Sequence, residues 1–252
     1  MSQPTSQLDV LSLARMIDHT LLKPEATPAE VDAIVAQAIE HQFASVCVQP
    51  IFTRHVAQKL IGTNVLPCCV IGFPHGANKS TVKAIEATAA TKDGAKEIDV
   101  VGHLPYLAAG DVQAVKTELL EIVRAARAAN SSIIIKVIVE SAAIIAGAKN
   151  PEAIIEAACK AVRESGCDFI KTSTGYHPAG GASAQVVQWM KQHANGIKVK
   201  ASGGIRDLNA ARQMIAAGAD RLGLSAGVAI LQELRSGNSL SSSTQTNPTS
   251  TY

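Results

Sequence analysis

Residues 133–175, IIIKVIVESAAIIAGAKNPEAIIEAACKAVRESGCDFIKTSTG, set two β-branched runs on either side of a longer helical stretch. The runs, Ile133–Val139 and Phe169–Thr172, are apolar with little alternation, as strands buried on both faces are. Between them, Pro151–Ser165 has helical periodicity and stops at Gly166. Strand, helix and strand in that order make a parallel β/α/β unit.

The alternation continues in both directions. Upstream lie the strand candidates Met16–Leu21, Ala44–Val48, Val65–Ile71 and Glu97–Val101; downstream lie Ile197–Ala201 and Arg221–Leu224. The helical segments are Thr27–His41, Ile51–Ile61, Lys79–Asp93, Asp111–Ala129, Ala182–His193, Asp207–Ala217 and one that begins near Ser225. Thr27-Pro28-Ala29-Glu30 supplies an N-cap, an N1 proline and a capping-box acid, and Gly218 is a stop signal. Eight strands and eight helices without a linker predict an α/β fold, a single (β/α)8 TIM barrel over residues 9–235. The runner-up is an open doubly wound sheet, against which the first strand–loop–helix unit has no GxGxxG. Residues 1–8 read as a polar lead-in, and the Ser/Thr-rich residues 236–252 as a flexible tail.

Hydrophobic residues are 47% of the 252, enough to build a core and exclude a disordered chain. Lys and Arg number 23 against 21 Asp and Glu, a balance that argues against nucleic acid as a partner. Four Phe, three Tyr and one Trp are too few for a base-stacking platform. The most apolar window, Ser141–Ala148, is far short of a membrane span, so no membrane is expected either. MSQPTSQLDV has no basic segment followed by an apolar one, and the five cysteines are odd in number without CxxC spacing. The expectation is a cytoplasmic protein with reduced thiols.

Barrel active sites lie at the C-terminal ends of the strands, where four charges interrupt apolar runs. They are Asp99 in EIDVV, Lys136 in IIIKVIVE, Lys171 in FIKTSTG and Lys200 in IKVKASGG. An unpaired buried ammonium costs several kcal/mol, so each lysine needs a partner or a task. The plain alternative is a lysine that snorkels to the mouth or pairs with Asp99 or Glu140. Three lysines and an aspartate on four successive strands instead suit Schiff-base catalysis, which needs a neutral amine. At a pKa of about 10.4 only about one lysine in a few thousand is neutral at pH 7. Burial and a second ammonium both shift that balance toward the amine.

Three glycine-bearing segments follow the last three strands: Thr172-Ser173-Thr174-Gly175, Ser202-Gly203-Gly204-Ile205-Arg206 and Gly223-Leu224-Ser225-Ala226-Gly227. Their backbone N–H groups, with a helix start after Ser225, suit a phosphate, although tight βα turns would use the same glycines. His19, His75, His103 and His177 lie near strand ends without HxH or HExxH spacing, so no catalytic metal is expected. Cys47 is placed beside the cavity, where a small buried hydrophobe would serve as well.

The motifs IDHTLLKP (17–24), VCVQP (46–50), IGFPHG (71–76), EIDVV (97–101), KVIVE (136–140), IKTSTG (170–175), KASGGIR (200–206) and RLGLSAG (221–227) resemble those of deoxyribose-phosphate aldolases. That resemblance implies cofactor-free, reversible cleavage of 2-deoxy-D-ribose 5-phosphate to acetaldehyde and glyceraldehyde 3-phosphate. By motif, Lys171 resembles the Schiff-base lysine, Lys200 the lysine that perturbs it and Asp99 the proton-relay aspartate. Asp18 would hydrogen-bond a substrate hydroxyl, Lys136 would support the relay, and Cys47 and Thr172 would border the substrate. Gly175, Gly203, Gly204, Gly223 and Ser225 would contact phosphate. The chain departs from the family pattern at His103 and Pro105, where asparagine and glycine are frequent. It departs again at Tyr176, where some members have lysine, and at Ala226, where many have serine. Two readings of the tail stand: Tyr252 returns to hand a proton to the enamine carbon, as the bacterial members that end in tyrosine suggest, or the tail is solvated and has no role. Two rivals stay open, a Schiff-base aldolase with another donor and a non-catalytic sugar-phosphate sensor. Exposed Ala-rich helices offer faces for a homo-oligomer, dimer or tetramer, without specifying which.

Overall fold

A computed structural model describes residues 8–242. Its sheet is a closed barrel of eight parallel strands in sequence order. The strands are β1 (Ile17–Leu21), β2 (Ser45–Val48), β3 (Leu66–Ile71), β4 (Glu97–Val101), β5 (Ile134–Ile138), β6 (Phe169–Lys171), β7 (Lys198–Ser202) and β8 (Arg221–Leu224). Each end lies within one residue of the sequence expectation, because runs of β-branched residues end abruptly at turn residues. Closure by β1 against β8, with Asp18 opposite Gly223, excludes the open doubly wound sheet.

The helices are α1 (Val10–Ala14), α2 (Pro28–His41), α3 (Thr53–Lys59), α4 (Ser80–Lys92), α5 (Leu104–Ala108) and α6 (Val112–Ala129). They continue with α7 (Ser141–Ile144), α8 (Pro151–Glu164), α9 (Ala184–His193), α10 (Leu208–Ala216) and α11 (Gly227–Ser242). Three of these, α1, α5 and α7, are absent from the sequence reading; none exceeds five residues, too short to show a period. The expected helix Ile51–Ile61 is a 3₁₀ turn at Pro50–Phe52 followed by α3. The last helix takes in residues 236–242 of the expected tail. Tyr252 lies outside the described residues.

Apolar side chains from the outer faces of the strands and the inner faces of the helices form one continuous core, including Ile17, Val46, Ile98, Ile135, Ile170 and Val199. Inside the barrel the alternate residues are mostly polar. The register sets Asp99 beside Lys136, Lys171 beside Lys200, and Lys200 beside Arg221. The period of two along each strand therefore delivers the charged residues to one interior.

Candidate active site

Asp99 is the hub of the interior cluster. Its Oδ2 accepts hydrogen bonds from Lys171 Nζ and Lys200 Nζ, each at 2.6 Å. Its Oδ1 accepts from Lys136 Nζ at 2.9 Å. Beneath it, Lys136 pairs with Glu97 at 2.6 Å and Lys200 with Asp18 at 2.5 Å. Asp18 Oδ1 also accepts from Ser45 Oγ at 2.6 Å and Arg221 Nη1 at 2.5 Å. Arg221 completes a lower tier through Glu97 at 3.3 Å. Lys136 and Lys200 are fully buried, while Lys171 retains 3% exposure. Of the three amines, Lys171 is thus the one that reaches toward the mouth. None of the three lysines pairs with Glu140, which instead accepts from the Thr174 hydroxyl and backbone N–H.

The charges of this cluster sustain one another. Burial alone would raise the Asp99 carboxyl, but Lys136, Lys171 and Lys200 hold it well below the usual carboxylate range. Burial likewise opposes the charge on Asp18, and Lys200, Lys136 and Arg221 outweigh it. Lys200 shows the mirror image: burial penalises its ammonium, while Asp18 and Asp99 more than compensate and raise it above the ordinary lysine range. Lys136 is raised well above that range, against burial, by Asp99, Cys68, Glu97 and Asp18. The expected direct repulsion between Lys171 and Lys200 is interrupted, because one Asp99 oxygen stands between their ammonium groups.

The late loops pack tightly upon one another. Gly175, Gly203 and Gly204 adopt left-handed conformations, with φ of 83°, 85° and 82°. Nothing lies within 4 Å of a Cβ built on Gly204, which leaves its backbone open to a ligand. Gly203 sits under Gly181, whose own Cβ would fall 2.2 Å from the Gly203 carbonyl oxygen. Gly223 has a different reason: a Cβ there would meet Lys200 Cε at 2.9 Å. Its hydrogen side chain makes room for the lysine inside the barrel. Ser225 is exposed just ahead of α11, consistent with an anion held at that helix start.

The model of the DeoC/LacD family aldolases matches residues 13–233. The chain belongs to that aldolase family. It is 44% identical over 224 residues to the deoxyribose-phosphate aldolase of Thermoanaerobacter sp. (strain X514), covering 88% of this chain and 97% of the relative. It is 45% identical over 235 residues to that of Mycobacterium bovis (strain BCG / Pasteur 1173P2), covering 93% and 99%. Among solved structures, the tetrameric deoxyribose phosphate aldolase of Aeropyrum pernix superposes with a TM-score of 0.80 at 34% identity, covering 91% of this chain and 94% of that one.

In the aldolase, residues that follow β1, β3, β4 and β6 at the mouth of the barrel enclose a cavity of about 630 Å³ whose walls include Leu22, Phe73, Pro74, Leu104, Tyr176 and Pro178. Tyr176 meets Phe73 edge-on at 5.2 Å between ring centroids, so this wall has an aromatic face. Thr172 turns away from the cavity: its hydroxyl donates to the Ser202 carbonyl and accepts from the Ser202 N–H, which locks β6 to β7. Asp18 is fully buried with its carboxylate engaged from below, a position under Lys200 rather than at the mouth. His177 accepts the Ala179 N–H, as a loop histidine.

All five cysteines are free and buried. Cys47 and Cys68 are register partners on β2 and β3, and their sulfurs lie within 4.8 Å of each other and of an Asp99 oxygen. Spacing in the sequence does not reveal this cluster. Its carboxylate is already committed to three ammonium groups. Glu97 and Arg221 were also missed as site residues. Each stands at the first position of its strand, where a charge reads as a solvated end.

Proposed function

We propose that this aldolase reversibly cleaves 2-deoxy-D-ribose 5-phosphate to acetaldehyde and D-glyceraldehyde 3-phosphate through an imine on Lys171. The observation that carries the assignment is the placement of Lys171. Its amine has two features together: residual exposure, which Lys136 and Lys200 lack, and a 2.6 Å contact to Asp99. Lys136, Lys200 and Arg221 balance Asp18, Glu97 and Asp99, three cations against three anions.

In the cleavage direction, Lys171 Nζ adds to the C1 aldehyde of the open-chain sugar, and the carbinolamine loses water to give an iminium. The C3 hydroxyl gives up its proton, through water, to the Asp99 carboxylate, the C2–C3 bond breaks, and its electron pair passes into the iminium as an enamine. Glyceraldehyde 3-phosphate leaves. Protonation of the enamine at C2 and hydrolysis then release acetaldehyde and restore the amine. Asp99 is too weak a base to hold the proton for long. Its place between Lys171 and Lys200 suits it to pass protons between them, a contribution of about 10²–10⁴-fold for positioned transfer. The open backbone at Gly204 and the start of α11 near Ser225 suit the phosphate. A homo-oligomer is supported by Ile51 and Ile61, which flank α3 and are 82% and 79% exposed in the single chain.

Borohydride reduction in the presence of acetaldehyde tests the assignment. A two-carbon adduct should map to Lys171, and Lys171→Ala should abolish both adduct and turnover. An adduct on Lys136 or Lys200 with Lys171 unmodified overturns it.

A further inference from the structure

A second buried lysine centre lies outside the barrel, between the sheet and two helices. Lys83, on α4, is fully buried. Its Nζ donates to the Gly76 carbonyl at 2.6 Å, the Val101 carbonyl at 2.7 Å and Glu118 Oε1 at 2.6 Å. Three donors thus meet three acceptors, the whole hydrogen-bonding capacity of an ammonium. Glu118, on α6, uses its other oxygen to accept the His103 N–H at 3.1 Å. One helical turn from Lys83, Glu86 accepts the Gly72 N–H at 2.7 Å.

These contacts join the loop after β3 to the exit from β4, beyond the point where pairing of the two strands ends at Ile71 and Val100. Gly72 and Gly76 bracket the loop after β3, and Val101 and His103 lie at the exit from β4. Between the glycines stand Phe73, Pro74 and His75, and after His103 stands Leu104; all four line the mouth cavity. Val101 is two residues beyond Asp99 on the same strand. The glycines accommodate the arrangement: a Cβ on Gly72 would press on Lys83 Cε at 3.0 Å, and one on Gly76 would strike the Gly102 carbonyl at 2.4 Å.

A buried ion pair is a poor choice for stability alone, since apolar side chains of the same volume often serve as well or better. What the pair adds is direction. Each acceptor fixes one loop relative to the other at hydrogen-bond precision, as the supporting layer of a binding site must be fixed. We propose that Lys83 and Glu118 are positioning residues that hold the wall of the substrate mouth, and so set the affinity for the sugar phosphate without touching it. The inference rests on the aldolase reading above. The small two-carbon donor, bound at Lys171, does not depend on this wall.

Kinetics of deoxyribose 5-phosphate cleavage, thermal melts and acetaldehyde–borohydride trapping on three variants test it. Lys83→Met strands the Glu118 charge and should lower the melting temperature. Adding Glu118→Gln removes that charge, keeps an acceptor for His103 and should recover most of the melting temperature. In this double variant KM should stay raised about tenfold, with kcat within about twofold and trapping at Lys171 unchanged, because a misplaced wall weakens substrate contacts. A merely structural pair predicts that KM recovers with stability, and that result overturns the inference. If the Lys83 variants do not fold, Glu86→Ala decides, since it frees the same loop at its other end from a partly exposed site. A KM raised about threefold with unchanged trapping supports the inference, and an unchanged KM overturns it. Failure of the unsubstituted chain to form the Lys171 adduct overturns the aldolase reading and this inference together.

Discussion

At Gly223 a single methyl group would compete with the working end of Lys200. Lys200 cannot swing aside freely, because Asp99 and Asp18 hold its ammonium at 2.6 and 2.5 Å. Gly223→Ala should therefore lower kcat about 10-fold or more while costing only about 1–3 kcal/mol of stability, the usual range for overpacking; steady-state kinetics and a urea melt read the two effects. Lys200 itself is tested by charge. Lys200→Leu takes one cation from the cluster, the one that shares Asp99 Oδ2 with Lys171. The acidic limb of the pH–rate profile should move to higher pH, and activity lost with an unmoved limb would give Lys200 a purely positional or proton-transfer role. Asp99, Lys136, Lys171 and Lys200 were legible in the sequence because a charge inside a β-branched run is conspicuous. Lys83 was not, since a lysine on an Ala-rich helix reads as solvated and only the tertiary structure shows three acceptors around it. Gly223 was read as a phosphate contact for want of any sign that a lysine passes over it.

Loops and helices carry the next level of specification. Gly181 was passed over because it sits in a stretch that reads as a featureless turn, yet it packs backbone to backbone on Gly203. Gly181→Ala would bring a methyl against the Gly203 carbonyl, a contact that no rotamer change relieves. The loop bearing Gly203 and Gly204 must shift, so KM for deoxyribose 5-phosphate should rise about tenfold or more, with acetaldehyde trapping at Lys171 intact. Equal losses in both assays would move Gly181 from the phosphate side of the site to its chemistry. The longer elements were readable because they announce their ends. Thr27 and Glu30 form the reciprocal capping box that the sequence implies, and Asp207 and Ser183 cap α10 and α9 through their side chains. The shortest helices have no such grammar. In α7, four residues follow Glu140 in a left-handed conformation, with φ of 52°, and only the tertiary bond from Thr174 explains that turn.

Across the whole barrel, the interior ion cluster couples catalysis to stability, and the sign of that coupling can be measured. No helix among the described residues is long and apolar enough to cross a membrane. In the unsubstituted protein Asp18 and Asp99 lie below their ordinary value of 3.8, so they stabilise the fold above that pH and less as pH falls below it. Lys200 lies above its ordinary 10.5, so its contribution is complete below that pH and is lost as pH rises through the folded value. Between these limits the melting temperature should be nearly flat as far as the cluster governs it. Asp18→Asn breaks the lower tier and leaves Lys200 and Arg221 with one carboxylate fewer. The cost near neutrality should be about 3–5 kcal/mol, as for other buried pairs deprived of one partner. A pH dependence should also appear where the unsubstituted protein has none. Burial then dominates at Lys200, the folded variant binds fewer protons than its unfolded chain, and stability increases as pH rises. Melting curves from pH 7 to pH 10 should thus show a flat unsubstituted protein and a variant that climbs toward it. Parallel curves would mean that Asp99 alone holds the charge on Lys200, and that Asp18 serves Arg221 and Ser45 instead.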